Sequence, residues 1–174
     1  MSKTFYAVDR QLRLSEGMFI NTIKYDDITP PFLQEFMNTQ FPEGVSVHGE
    51  LYLIRDDAKC TVTEPIIEIL FEYIRQANFT ECVSRYQSFF AFETYQEAVF
   101  FKNRFNCSSA SIYEIHSTNK WNKVNMNLLT LQDSVLSTAY LAHEYWKGNA
   151  SIDSNPLWEC LLSLPVTVGK KIHG

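Results

Sequence analysis

The apolar positions of this chain change period several times along its length, and each change marks an element. Residues 4–10 (Thr-Phe-Tyr-Ala-Val-Asp-Arg) contain no strand breaker in their middle and read as a first strand. Gly17 marks a turn, and residues 18–23 read as a second, shorter strand. Pro30-Pro31 suits the first turn of a short helix that ends near Asn38. Residues 40–50, with Pro42, Gly44 and Gly49, read as a loop. A clear helix opens at Thr61 or Thr63, because Thr61-Val-Thr-Glu64 has capping-box spacing and Pro65 fits the first turn. Ile66, Ile67, Leu70, Tyr73 and Ile74 then recur at helical spacing, and the pattern fades at Ala77-Asn78.

The second half follows the same logic. Residues 84–91 read as a strand or strand edge. Thr94-Tyr-Gln-Glu97 is another capping box, and it predicts a helix with Ala98, Phe101 and Phe105 facing the core. Residues 111–116 alternate as a strand, with Ile112, Glu114 and His116 on one side. A long helix fits residues 132–147, with Val135, Leu136, Ala139, Tyr140 and Ala142 inward and Gly148-Asn149 as its stop. Two strands, 158–163 and 166–172, follow, and Pro165 should break their pairing locally. Regular βαβ alternation and a Gly-rich phosphate loop are both missing, which argues against Rossmann and P-loop enzymes. The pattern predicts one α+β domain over residues 1–174.

Composition agrees with a packed domain. Hydrophobic residues make up 45% and charged residues 20%, and thirteen Phe, nine Tyr and three Trp supply large buried surfaces. A core of this size needs neither disulfide nor metal. The net charge of −5 argues against a protein that grips nucleic acid mainly through phosphates. A local basic patch is still compatible with it, although the Lys170-Lys171 pair is too short to signal one. The first residues lack the apolar run of a signal peptide, and no stretch approaches the roughly 18 apolar residues of a spanning helix. The expected compartment is therefore the cytoplasm, with no membrane association. Cys60, Cys82, Cys107 and Cys160 are irregularly spaced without a CxxC, so free thiols are expected and zinc is not. The glycosylation patterns at Asn78, Asn106 and Asn149 are idle without secretion.

Four features could carry chemistry, and each has a plainer explanation. Ser84-Arg85-Tyr86-Gln87-Ser88-Phe89-Phe90-Ala91 mixes hydroxyls and a cation with aromatics before a capped helix. It suits a cleft that holds a planar ring, but an ordinary strand of alternating exposure is the plainer reading and the one the residue chemistry favours. Glu159 is a carboxylate inside an apolar strand, either facing solvent or serving a site. Tyr145-Trp146 at the end of the long helix is either core packing or a ligand wall. His48, His116, His143 and His173 show no metal spacing, and no nucleophile–base set stands out.

Taken in order, several of these segments resemble small bacterial and phage proteins of the ADP-ribosyltransferase-like superfamily. The segments are Phe5-Tyr6 on the first strand, Ser84–Ala91 with its helix, and Ile112-Tyr113-Glu114-Ile115. Tyr145-Trp146-x-Gly148 and the closing Trp158-Glu-Cys-Leu-Leu-x-x-Pro-Val complete the series. The resemblance covers roughly residues 4–172, apart from the stretch around 25–60, and its motifs are short. It implies a split β-sheet core with flanking helices and NAD held in a cleft. It also implies NAD-dependent ADP-ribosyl transfer, or NAD cleavage, toward an unidentified protein, nucleic-acid or small-molecule acceptor. Carried over residue by residue, the catalytic set would be Glu159, Ser88 and Tyr86. Tyr6, Arg10, Arg85 and Phe90 would contact the dinucleotide, without any metal. The superfamily places Arg or His on its first strand, where this chain has Ala7 after Tyr6. That departure leaves a second expectation open: a binding module on the same fold that senses a nucleotide or blocks a partner protein.

Overall fold

A computed structural model describes residues 2–55, 63–149 and 153–172. Among these residues, seven strands form two antiparallel sheets. In the first, strands β1 (Lys3–Asp9), β4 (Ser111–Ser117), β7 (Val166–Ile172) and β2 (Phe19–Ile20) lie in the order β1-β4-β7-β2. In the second, β3 (Ser88–Ala91), β6 (Trp158–Ser163) and β5 (Trp121–Asn125) lie in the order β3-β6-β5. The backbones of Tyr6 and Phe92 exchange hydrogen bonds of 2.9 and 2.7 Å, so β1 touches the end of β3 where the two sheets part. The expected split sheet with flanking helices is thus present in its coarse form, as a mixed α+β architecture.

Alternation along each strand decides what lies between the sheets. Phe5 and Ala7 of β1, Ile115 of β4 and Val166 and Val168 of β7 meet Ala91, Cys160 and Leu162 of the second sheet in one shared core. The opposite face of β1 turns Tyr6 and Val8 toward helix α4 (Tyr95–Arg104), where Ala98 and Phe101 cover them. The opposite face of the second sheet turns Val124 and Leu161 toward helices α3 (Thr63–Asn78) and α5 (Val135–Trp146), against Phe71, Ala142, Tyr145 and Trp146.

Helix boundaries follow local chemistry closely. The Thr94 capping box forms completely: its hydroxyl accepts from the Glu97 amide, and the Glu97 carboxylate accepts from the Thr94 amide. Helix α1 (Pro31–Gln40) begins at Pro31 as expected, and α5 stops where Gly148 adopts φ +65°. Thr61, part of the expected cap of α3, lies outside the described residues.

Which helix face turns inward is decided by packing, and here the structure differs from expectation. Val135, Leu136 and Tyr140 are exposed, whereas Thr138, Ala142, Tyr145 and Trp146 are buried at the i, i+4, i+7, i+8 spacing of a core stripe. Phe105 is 44% exposed because α4 ends at Arg104, leaving that ring beyond the stripe of Ala98 and Phe101. Strands β6 and β7 do not pair at all: the turn at Leu164-Pro165 sends them into different sheets. Residues 84–87 form a single helical turn, Arg85–Gln87, in place of strand, because the Ser84 hydroxyl accepts from the Tyr86 amide. Within 40–50, Ser46 caps the short helix α2 (Val47–Gly49), which continues into a wider turn over Glu50–Ile54. Strand β5 has no counterpart in the sequence reading.

An arginine-centred candidate site between the three-stranded sheet and its helices

The turn at 85–87 forces Arg85 beneath the helical layer, where only 4% of it remains exposed. A guanidinium in such a place needs acceptors in fixed directions, since burying an unpaired charge is very costly. Glu68 of α3 supplies a two-pronged partner: Arg85 Nε and Nη2 donate to its two oxygens, each at 2.8 Å. Nη1 donates to Glu159 Oε1 of β6 at 3.1 Å and to Tyr145 Oη of α5 at 2.5 Å. The Phe90 ring lies over the guanidinium, 4.9 Å from its centre. One cation therefore ties together α3, α5, β3 and β6.

His48 completes the cluster from α2. The Gly49 position has no room for a side chain, because a Cβ there would strike the carbonyl of Tyr86. Ser46 donates to that same carbonyl through its amide and hydroxyl, at 2.8 and 3.1 Å. Docked this closely, α2 sets the His48 ring 4.7 Å from both Tyr52 and Phe90. Its Nε2 lies 3.2 Å from Glu68 Oε2 without the alignment of a hydrogen bond, and that nitrogen is sealed from solvent. Phe90, Tyr52 and His48 keep partial exposure, so they form the open border of a closed ionic centre.

The charges divide unevenly. Burial works against the Arg85 cation, but Tyr145, Glu68 and Glu159 outweigh it and hold its pKa well above the ordinary arginine value. Burial also opposes ionisation of Glu68, yet Arg85 and His48 keep it far below the usual carboxylate range. Glu159 goes the other way: burial pushes its pKa up, and the pull of Arg85, already committed to Glu68, does not compensate. Arg10 adds a smaller pull on Glu159. Burial lowers the pKa of His48, which favours the neutral ring, able to accept or donate one proton. A second pair lies beside the first, with Glu72 buried and Arg75 half-buried: Arg75 grips Glu72 through Nε and Nη2, and the Ser84 hydroxyl donates to Glu72 at 3.0 Å.

Of the residues marked by sequence, Glu159, Arg85 and Phe90 come together, joined by Tyr145. The other four stand apart. Tyr86 is 1% exposed and packs edge-on against Phe41, its hydroxyl pKa raised by burial. The Ser88 hydroxyl donates to the Ser84 carbonyl and is likewise buried. Tyr6 faces Tyr95 on the outer side of the first sheet, with ring centres 6.0 Å apart. Arg10 is exposed and lies over the Phe101 ring, 5.3 Å from its centre. The sequence reading passed over Glu68 and set His48 aside with the other histidines. A signal for the first existed, since Glu68 and Glu72 stand four apart inside an apolar helix and so share one face. No local pattern marks His48, whose place depends on α2 docking against Tyr86. Among the described residues no cluster of metal-ligating side chains occurs, and no helix is long and apolar enough to cross a membrane.

Comparison with curated proteins gives no match. The model of a protein family described as of unknown function, DUF2441, matches residues 7–174, and the chain belongs to that family.

Proposed function

We propose that this domain cleaves NAD at the nicotinamide–ribose bond and passes the ADP-ribosyl group to an acceptor, with Glu159 as the carboxylate that holds the ribose. The observation behind this reading is the Arg85–Glu159 contact of 3.1 Å on β6, beside the point where the two sheets part. In such a reaction the ribose C1′–N bond breaks with its electron pair leaving on nicotinamide. A lone pair of the acceptor, or of water, forms the new bond at C1′ and loses its proton. The sugar passes through an oxocarbenium-like state, and a fixed carboxylate near its hydroxyls gains attraction as that charge grows. Arg85 would act as a positioning residue, fixing the Glu159 carboxylate. Phe90, Tyr52 and His48 offer aromatic faces suited to a planar ring. Arg10, exposed at the end of β1, is available to a pyrophosphate.

A second reading is a nucleotide- or protein-binding module without turnover. It is favoured by Ala7, which is 3% exposed and packed between the sheets, so the first-strand position carries no cation. The experiment that separates the two is nicotinamide release from NAD by wild type and by Glu159→Gln, with calorimetric NAD binding alongside. Release by wild type that falls at least about a hundredfold in the variant supports turnover through Glu159. Binding without release supports the module. Equal release by both proteins would remove Glu159 from the chemistry.

A further inference from the structure

Helix α1 is built with its apolar face turned outward. It rests on the body of the molecule through Gln34 and Met37, and through Phe41 just past its end. Gln34 is the polar tether: its Oε1 accepts from the Ile28 amide at 3.0 Å, and its Nε2 donates to the Tyr25 carbonyl at 2.7 Å. Phe32, Glu35, Phe36 and Thr39 follow the i, i+3, i+4, i+7 spacing of a core stripe, yet all four are exposed. Phe32 is 67% and Phe36 58% exposed, Leu33 beside them is exposed too, and no residue of α1 is buried. Two phenyl rings one turn apart in solvent, on a helix that turns a glutamine inward, are the reverse of what folding alone selects. The charge around this face has one sign. Glu35 shares the face with both rings, and Asp26 and Asp27 add the same sign on the loop that leads into the helix. None of the three has an ion-pair partner among the described residues. The last turn of α1 has no basic residue, so the negative end of its dipole is unmatched as well. Lys24 is the one lysine or arginine between residues 18 and 43, and it lies 3.7 Å from Glu43.

We infer that α1 docks a basic amphipathic helix of a partner protein, whose apolar side chains pack on Phe32, Leu33 and Phe36 while its lysines or arginines meet Glu35. Aromatic anchors supply the affinity of such a contact, and the acids steer the approach and reject acidic partners. A second copy of this chain fits less well. It would bring the same acidic face and a net charge of −5 against its like. The exposed apolar surface of three side chains also falls well short of the roughly 800 Å² per partner of a stable dimer, whereas it suits a short helix held by a few rings. This inference uses no residue of the Arg85 cluster and stands apart from the NAD reading.

The test titrates the full chain into a labelled synthetic amphipathic helix of leucines and lysines, and separately into its leucine–glutamate counterpart, following fluorescence anisotropy. The leucine–lysine peptide is expected to bind with a dissociation constant on the order of 100 μM or tighter, and the acidic peptide is not. Phe32→Ser and Phe36→Ser should each weaken binding at least about tenfold. Both rings are exposed, so these variants should keep the circular dichroism and melting temperature of wild type. Glu35→Lys should weaken the basic peptide and admit the acidic one, a reversal that a merely greasy surface would not show. Leu136→Gln, on the exposed side of α5, should bind as wild type does and serves as the reference for a generic apolar contact. Absence of saturable binding, equal binding of both peptides, indifference to Glu35→Lys, or equal losses from Leu136→Gln and Phe36→Ser would overturn the inference. So would sedimentation that shows a dimer dissociated by Phe36→Ser, because the occupant would then be a second copy.

Discussion

Arg85 is the side chain on which most of the interior polarity depends. Its removal leaves Glu68 and Glu159 buried without their cation, which costs far more than the pair itself contributes. Arg85→Met should therefore lower unfolding stability by about 3–5 kcal/mol in denaturant titration. Arg85→Lys should recover little, because one ammonium cannot meet Glu68 with two parallel bonds and also reach Glu159. The two glutamates should also respond oppositely to pH. The pKa of Glu68 is depressed in the folded chain, so its stabilisation is present above the ordinary glutamate value and is lost as pH falls through the depressed one. That of Glu159 is raised, so its share is present below the ordinary value and is lost as pH rises through the raised one. Melting temperatures across pH 3–8 should show the cost of Glu68→Gln greatest near neutrality, while Glu159→Gln gains on wild type as pH rises above the ordinary glutamate range. A parallel cost for both variants at every pH would contradict the assigned charge division.

At the scale of elements, caps and faces have separable consequences. Thr94→Ala removes a hydroxyl that closes one end of a complete capping box and should cost about 1 kcal/mol. Glu97 does double duty, since its other oxygen accepts from Lys123 Nζ at 2.8 Å and ties α4 to β5. Leu136→Gln, by contrast, changes a residue that is 81% exposed and should stay within about 0.5 kcal/mol of wild type. Chemical denaturation of both variants checks this contrast. A large cost for Leu136→Gln would mean that the stripe from Thr138 to Trp146 is not the buried face of α5.

The whole molecule is two sheets that share one inner core, with helices on both outer faces. That layering predicts the order of thiol reactivity. Cys160 lies between the sheets at 0% exposure, and burial pushes its pKa up to about 12. Cys82 is buried under α3 and α5, and Cys107 is partly exposed beyond the end of α4. Brief alkylation of the native protein followed by peptide mass mapping should label Cys107 well before Cys82, and Cys160 only on unfolding. Early labelling of Cys160 would show that the sheets separate readily.

Much of this architecture was legible along the chain because it rests on short-range rules. Thr94 and Glu97 are three residues apart, Pro31 opens a helix, Gly148 closes one, and the last two strands begin and end where their apolar runs do. Glu159 was legible too, as a charge in an apolar strand. Other features depended on contacts between distant segments. Sequence spacing gives a helix its period but not its phase, so only packing against Phe71 and Arg85 turned Tyr145 inward and left Leu136 out. Strand β5, short and polar at Asn122 and Lys123, is held by its register with β6 rather than by its own propensity. His48 lies beside Glu68 because tertiary docking joined elements whose separation in sequence hides the pairing. By itself the sequence determined most of the helices and strands and marked Glu159 as a carboxylate inside an apolar strand, without deciding whether it is buried. The tertiary structure decided which charges meet, since the cost of burying a lone guanidinium or carboxylate is settled only by what the fold places within hydrogen-bond reach.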